Sequence, residues 1–301
     1  MSISVKHLTK YYGEQAAVDN ISFEAKNGEI LGFLGPNGAG KSTTMKIITT
    51  FIPASDGEVE VCGLNIKNHS LEVRKKIGYL PEHNPIYLDM YVKEYLSFVG
   101  EIYKIKNVKE RVEEVIELVG LQKEQHKITG ALSKGYRQRV GLAQSIIHDP
   151  EVLILDEPTS GLDPNQLAEI RELIRKIGQQ KTVMLSTHIM QEVEAICDRV
   201  IIINNGRLVA NATASELQSE EDNQVIYVEF DQAISRNRLA KLADVSQVEK
   251  INENTFLITS KSSIDLRKTI ANYAQKESLL ILTIRKEEKS LEEVFKAYTS
   301  K

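Results

Sequence analysis

Gly35-Pro36-Asn37-Gly38-Ala39-Gly40-Lys41-Ser42-Thr43 decides how this 301-residue chain is read. The stretch matches the pattern G-x-x-x-x-G-K-[ST] without a gap. Ile30-Leu31-Gly32-Phe33-Leu34 leads into it as a buried apolar strand, and Thr43-Thr44-Met45-Lys46-Ile47-Ile48 leads out of it as a helix. Strand, glycine loop, helix is the setting in which this pattern holds phosphates. Glycines lack a Cβ, so the backbone can fold close around an anion and aim its N–H groups inward. The helix N-terminus adds partial positive charge. Lys41 is placed to reach the β- and γ-phosphates of a nucleotide, and the Ser42 hydroxyl to ligate Mg²⁺.

Composition narrows the class. The chain is 42% hydrophobic and 27% charged, ordinary values for a globular protein of one large domain or two. Its formal net charge is −4 and no basic block occurs, so nucleic acid is not expected as a main partner. Two cysteines, Cys62 and Cys197, cannot build a disulfide framework; the chain reads as intracellular, with both thiols as small packed hydrophobes. Met1 to Lys6 show no signal-peptide apolar region. No apolar run reaches the roughly 18 residues of a membrane span, so any action at a membrane is expected to pass through a partner.

Along the chain, residues 3–12 and 20–26 alternate apolar and polar, as strands of an antiparallel layer do. Tyr12 near the end of the first is either a base-stacking aromatic or an edge-strand tyrosine. Residues 57–62 form another strand and 77–80 a short buried one. Between them, Arg74 to Lys76 read as basic and exposed. Helical spacing over 92–103, 107–121 and 136–147 makes a mostly helical block over about 83–147, with Val108, Val112, Val115 and Val119 on one stripe. Val152-Leu153-Ile154-Leu155 is apolar throughout, as a parallel strand covered on both faces should be. A helix over 165–178, a strand over 183–186, a helix over 190–197 and a strand over 200–203 follow, and Asn204-Asn205-Gly206 turns a hairpin.

Beyond about residue 218 the pattern changes. Ser219 to Asn223 is a polar linker. The rest reads strand 225–230, helix 235–243, strand 245–251, strand 254–259, helix 264–276, strand 279–285, helix 290–298, which is the split-βαβ, ferredoxin-like order. The expected fold is therefore α/β. A P-loop NTPase core with an antiparallel layer and an inserted helical subdomain fills residues 1–218. A small α+β domain fills 219–301.

Other residues carry chemistry beside the loop. Asp156 closes the apolar strand, where it can hold Mg²⁺, and Glu157 follows, placed to polarise an attacking water. Two buried acids without a cation would be costly, which favours a metal site. Ser133, ahead of a helix in Leu132-Ser133-Lys134-Gly135-Tyr136, is either an ordinary N-cap or, with Gly135, part of a second phosphate site. His188 ends a strand where it can contact a γ-phosphate.

These residues in this order resemble the ATP-binding cassette (ABC) family. Gly35 to Thr43 is similar to Walker A, Val152 to Glu157 to Walker B, and Leu132 to Tyr136 to the signature motif. Ser160-Gly161-Leu162-Asp163 resembles the D-loop and His188 the switch histidine. The resemblance covers roughly residues 1–216. Within the family, the chain most resembles the ATP-binding subunit of gliding-motility exporters. The segment Ser290 to Phe295 is similar to that group's accessory domain.

The resemblance implies an ATPase that uses ATP and Mg²⁺. Two cassettes, in a homodimer or a heterodimer, would sandwich two ATPs head to tail, with Ser133 and Gly135 of one facing the γ-phosphate held at Lys41 of the other. Tyr12 falls where the family stacks adenine. Glu157 and His188 would be catalytic, and Ser42, Glu82 and Asp156 the metal ligands. Ile86 to Tyr91 would receive the coupling helix of a separate transmembrane subunit. That contact would hold the protein on the cytoplasmic face of the inner membrane. Two departures stand out: Glu82 where the family has glutamine, and LSKGY for LSGGQ. Activity is expected to survive both.

Competing classes fit less well. The interval between Lys41 and Ser133 leaves no room for the long coiled coil of repair and chromosome ATPases. Translation factors of this kind carry two cassettes in one chain. A non-hydrolysing scaffold would lack the carboxylate that Glu157 supplies.

Overall fold

The computed structural model describes residues 1–219, 224–261, 265–287 and 291–299. Residues 220–223 of the expected linker, and Ser290, lie outside them. Two compact units emerge: Met1–Ala214 together with Phe295–Lys301, and Ser215–Val294.

The first unit opens with β1 (Ile3–Tyr12) and β2 (Gln15–Ala25), an antiparallel pair. Sequence alternation places the second strand at 20–26, but pairing runs back to Gln15, since Tyr12 faces Gln15 across a two-residue turn at Gly13. There follow β3 (Ile30–Leu34), α1 (Lys41–Ile48), β4 (Asp56–Val61), β5 (Leu64–Asn65), α2 (Ser70–Lys76) and β6 (Ile77–Leu80). The basic residues Arg74 to Lys76 are the last turn of α2, where cations favour the helix C-terminus. The helical block comprises α3 (Val92–Ile102), α4 (Val108–Leu118) and α5 (Lys134–Ile146). Of the α4 stripe, Val112, Val115 and Val119 are fully buried and Val108 only partly. Then come β7 (Val152–Asp156), α6 (Pro164–Gly178), β8 (Thr182–Thr187), α7 (Met190–Ile196), β9 (Arg199–Asn204) and β10 (Arg207–Ala212), and α8 (Ala214–Ser219) carries the chain across the boundary into the second unit.

Two sheets result, one ordered β2-β1-β4-β5 and the other β10-β9-β3-β8-β7-β6. In the second, β9, β3, β8, β7 and β6 are parallel and β10 turns back antiparallel. The strands β3, β7 and β8 are buried at every position. Both faces of these strands are covered, so successive side chains, which point to opposite faces, are apolar through β3 and the middle of β7 and β8, with polar residues at the ends of β7 and β8. In β7, Val152 and Ile154 pack with Phe33, Met45 and Val59, while Leu153 and Leu155 pack with Leu96, Val140 and Ile174. One face thus meets the antiparallel layer and α1, and the other meets the helical block and α6. Burial pushes the thiol of Cys62 up to about 11 and that of Cys197 up to about 12, which leaves both uncharged.

The second unit contains β11 (Val225–Phe230), α9 (Arg236–Leu239), β12 (Val245–Lys250), β13 (Thr255–Ser260), α10 (Arg267–Lys276) and β14 (Ile281–Glu287); α11 (Leu291–Thr299) ends the described chain. Its sheet is ordered β12-β13-β11-β14, with every neighbouring pair antiparallel. This is the ferredoxin-like arrangement. Alternate residues Ile226, Val228, Phe230, Phe256 and Ile258 face Ile270 and Leu239 in a separate core. The helix expected over 235–243 is a single turn. After Leu239 the chain reverses, and Asp244 takes a left-handed φ of 65° to enter β12. No helix among the described residues is long and apolar enough to cross a membrane.

Candidate functional site

Parallel strands deliver their C-terminal ends to one edge of a sheet, and loops there gather functional groups. Here β3 runs into the glycine loop, β6 toward Glu82, β7 into Asp156 and Glu157, and β8 toward His188. Lys41, Ser42, Glu82, Glu157, Ser160 and His188 line a single cavity of about 540 Å³, together with Ala17, Asn37, Gly38, Gly40 and Thr43. Gly40 is the N-cap of α1 at φ 107°, and a Cβ there would collide with the Ala17 carbonyl. Glycine is needed for both reasons: the left-handed turn and the close approach of β2.

Lys41 is 6% exposed. Its Nζ donates to the carbonyl oxygens of Gly35 (2.7 Å) and Pro36 (3.2 Å). Burial pushes its pKa down, opposed by the carboxylates of Glu157, Asp156 and Glu82. The result is a cation at the floor of an anion-binding loop, tethered by that loop.

Asp156 is 2% exposed and Glu157 8%. Asp156 Oδ1 accepts from the hydroxyls of Ser42 (3.1 Å) and Ser186 (2.7 Å). Glu157 Oε2 lies 2.8 Å from His188 Nδ1. Burial pushes the Glu157 pKa up, with His188 and Lys41 holding it back. A carboxylate raised this way is a better proton acceptor when ionised. Glu157 also has a left-handed φ of 51°, which directs its side chain out of the strand line and into the cavity.

The donor set fits Mg²⁺. Ser42 and Asp156 stand side by side, and Glu82 lines the same cavity. All are hard oxygen donors. Among the described residues no group of three or more His, Cys, Asp or Glu forms a metal cage. Mg²⁺ is commonly held by one or two carboxylates with substrate phosphates completing its shell.

Other residues singled out in the sequence lie apart. Ser133 is exposed and caps α5, its Oγ accepting from the Tyr136 N–H at 3.4 Å. Neither Ser133 nor Gly135 lines the cavity of its own chain. Lys134 lays its side chain across Gly161, where a Cβ would collide with the ammonium group. Tyr12 is 52% exposed, outside the cavity lining, with Lys10 Nζ 5.4 Å from its ring centre. Gly35, Pro36 and Ala39 shape the loop from behind.

Ile86 to Tyr91 hold five large apolar side chains in six positions, as an exposed loop cluster facing a partner would, yet only part of the segment is exposed. Ile86 is buried and Met90 packs on the core, because the segment folds back over the helical block. Tyr87, Leu88 and Tyr91 remain about half exposed at 53%, 55% and 51%. The Tyr87 ring meets Tyr95 and Phe98 edge-on.

Sequence reasoning misses Ala17 in the cavity wall and the part played by Ser186, while Ser160, singled out only for the D-loop resemblance, lines the cavity as well. For Ser186 a signal existed: a hydroxyl in an apolar strand, at a level where another strand ends in an acid.

Comparison with known proteins follows the same lines. The ABC transporter family model matches residues 18–160, and an AAA domain model matches residues 127–194. The bacitracin transport ATP-binding protein of Bacillus licheniformis is 38% identical over 76% of this chain and 74% of its own length. Its namesake in Enterococcus faecalis is 33% identical over 97% of this chain and 94% of its own. Nod factor export ATP-binding protein I of Ralstonia nicotianae is 36% identical over 84% and 80%. A bacterial ABC transporter cassette solved as a dimer superposes with a TM-score of 0.65, at 25% identity, over 70% of this chain and 98% of its own.

Proposed function

The chain belongs to the ABC transporter ATP-binding family, and from that premise we propose that it hydrolyses ATP in a head-to-tail dimer to drive a separate membrane subunit of an exporter. It is an ATP-binding subunit with the P-loop ATPase fold. The observation that carries the mechanism is the buried Glu157 carboxylate, facing the cavity of Lys41 and Ser42 and paired with His188 at 2.8 Å.

Each residue then has a task. The loop N–H groups from Gly35 to Thr43 and the start of α1 bind the phosphates, and Lys41 turns its ammonium from the loop carbonyls to the β- and γ-phosphates. Ser42, Asp156 and Glu82 would hold Mg²⁺, which when bound neutralises phosphate charge. Glu157 accepts the proton of the attacking water, and His188 orients it and meets the γ-phosphate. Tyr12 stacks on adenine. Ser133, exposed at the N-cap of α5, and Gly135, buried in its first turn, lie away from their own cavity and complete the partner's site.

The membrane subunit docks near Tyr87, Leu88 and Tyr91 and holds the cassette at the cytoplasmic face of the inner membrane. Exposed aromatic residues of this kind suit an interface core. Residues 1–218 act as the cassette, and 219–301 as an accessory domain that supports dimer contacts or limits nucleotide-driven motion. The near full-length match to the Enterococcus relative supports treating that tail as part of the exporter subunit. At the level of cargo, the sequence resemblance points to gliding-motility export and the relatives' names to bacitracin or Nod factor. Identifying the membrane subunit that co-purifies separates these.

The test of the chemistry is Glu157→Gln. General-base catalysis contributes about 10²–10⁴ in rate. The variant should lose turnover on that scale, keep ATP affinity and accumulate an ATP-bound dimer. Wild-type turnover in Glu157→Gln would remove the general base from this account, whereas Lys41→Ala should fail earlier, at nucleotide binding.

A further inference from the structure

We propose that Ser186 is a positioning residue for hydrolysis, whose hydroxyl pins the backbone turn that aims Glu157 and ties Asp156 to the strand that carries His188. The inference rests on Glu157 being the general base. Ser186 is fully buried. Its hydroxyl has one proton and two lone pairs. The proton goes to Asp156 Oδ1 at 2.7 Å, and a lone pair accepts the Glu157 backbone N–H at 2.9 Å.

Strand register makes both bonds possible. β7 and β8 are parallel neighbours, and their pairing ends with Asp156 opposite Ser186. Glu157 is the first residue past that end, and it takes φ 51°. A non-glycine residue holds such a conformation only where its surroundings determine it. Here the Ser186 hydroxyl takes the N–H that has left the strand ladder, and a Ser160 N–H to Glu157 carbonyl bond of 3.1 Å closes the turn behind it.

The same strand end fixes the histidine. The Thr187 hydroxyl donates to buried Glu192 Oε2 at 2.6 Å and accepts the Ile189 N–H at 3.1 Å, which brackets His188. Consecutive residues of β8 therefore hold the acid pair and the group that bonds Glu157 Oε2. A shift of β8 relative to β7 changes both at once, so contact of His188 with a phosphate bears directly on the aim of the carboxylate.

Ser186→Ala removes the hydroxyl with little change of volume. A hydrogen bond to a charged or strained group lost in the transition state predicts a fall in kcat of about tenfold to a hundredfold. ATP affinity should stay within about twofold, since no Ser186 atom lines the cavity. Slow hydrolysis should also leave an ATP-bound dimer visible by size exclusion. Ser186→Thr keeps the hydroxyl and should restore most of the rate. A residue that acts through Glu157 loses its effect once Glu157 is gone, so Ser186→Ala in the Glu157→Gln background should lower residual turnover by less than about threefold.

Wild-type kcat in Ser186→Ala would overturn the proposal, as would equal losses in both backgrounds. If Ser186→Thr proves unstable in a thermal melt, the alanine variant and the double mutant still decide. Wild-type turnover in Glu157→Gln would mark a different failure, that of the general-base assignment itself.

Discussion

The cavity at the strand ends and the exposed start of α5 are built on opposite principles. At the cavity, Lys41, Ser42, Glu157 and His188, with Asp156 behind Ser42, each bond a neighbour within the chain; Lys41, Asp156 and Glu157 are buried and Ser42 half-buried. At α5, Ser133 offers its hydroxyl to a single long cap bond, and Lys134 and Tyr136 stand exposed beside it. Tyr87 and Tyr91 share that openness. A group already satisfied within the chain has little left to offer a second molecule without breaking something. A group left in water costs nothing to redirect. Under the proposed function, the contrast divides what the subunit does alone, binding nucleotide, from what it does only in company.

The sharpest way to break this division is Ser133→Arg. If α5 completes a site in trans, hydrolysis should fall by the roughly 10³–10⁵ that groups supplied across an interface provide in other NTPases. ATP binding by the isolated chain should not change. Mixing this variant with Lys41→Ala chains should restore at most one working site per dimer. Normal hydrolysis by Ser133→Arg would put Ser133 back among ordinary helix caps.

The next effect concerns Tyr87 and Tyr91. Central interface residues cost about 2 kcal/mol or more each when lost, some thirtyfold in affinity per residue. The double change Tyr87→Asp/Tyr91→Asp should therefore abolish co-purification with the membrane subunit and leave ATP binding near normal. Full retention of the partner would move the contact elsewhere. A lower melting temperature would reveal that the edge-on packing of Tyr87 on Tyr95 and Phe98 serves the fold instead.

The smallest effect tests the cavity side. Burial raises the Glu157 pKa in the folded chain. A carboxyl raised in this way gives its full stability below its unfolded pKa and loses it as pH rises through the folded value. Above its raised folded pKa the buried Glu157 carboxylate is thus a burden on the fold. Glu157→Gln should melt higher than wild type at neutral pH, with the gap closing as pH falls through the carboxylate range. A gap independent of pH would mean that the burial of this carboxylate is relieved some other way.

Much of this was legible before any coordinates. The glycine loop, the apolar run before Asp156 and the ferredoxin-like order of the tail are local patterns; the first two form where their residues predict, and the tail keeps the expected order with a shorter first helix. What stayed hidden depends on register or on packing between distant segments. The pairing of Asp156 with Ser186 joins residues on separate strands, and no periodicity within either strand reveals it. Ile86 and Met90 look like neighbours of exposed Tyr87 by composition, and only the fold of the loop over the helical block buries them. The early start of β2 follows from the turn at Gly13, where φ is positive, and α9 stops after one turn ahead of the left-handed Asp244 that leads into β12.

The tether on Lys41 has one further consequence. Because its ammonium already holds the carbonyls of Gly35 and Pro36, the incoming phosphate enters an exchange reaction. What is gained on binding is the difference between two sets of bonds. A ligand with too little charge to win that exchange leaves the lysine where it is and the loop in its resting form. The loop therefore carries its own competitor, in cis and at fixed concentration. That competitor sets a threshold: nucleosides and lone sugars fall below it, and a chain of phosphates rises above it.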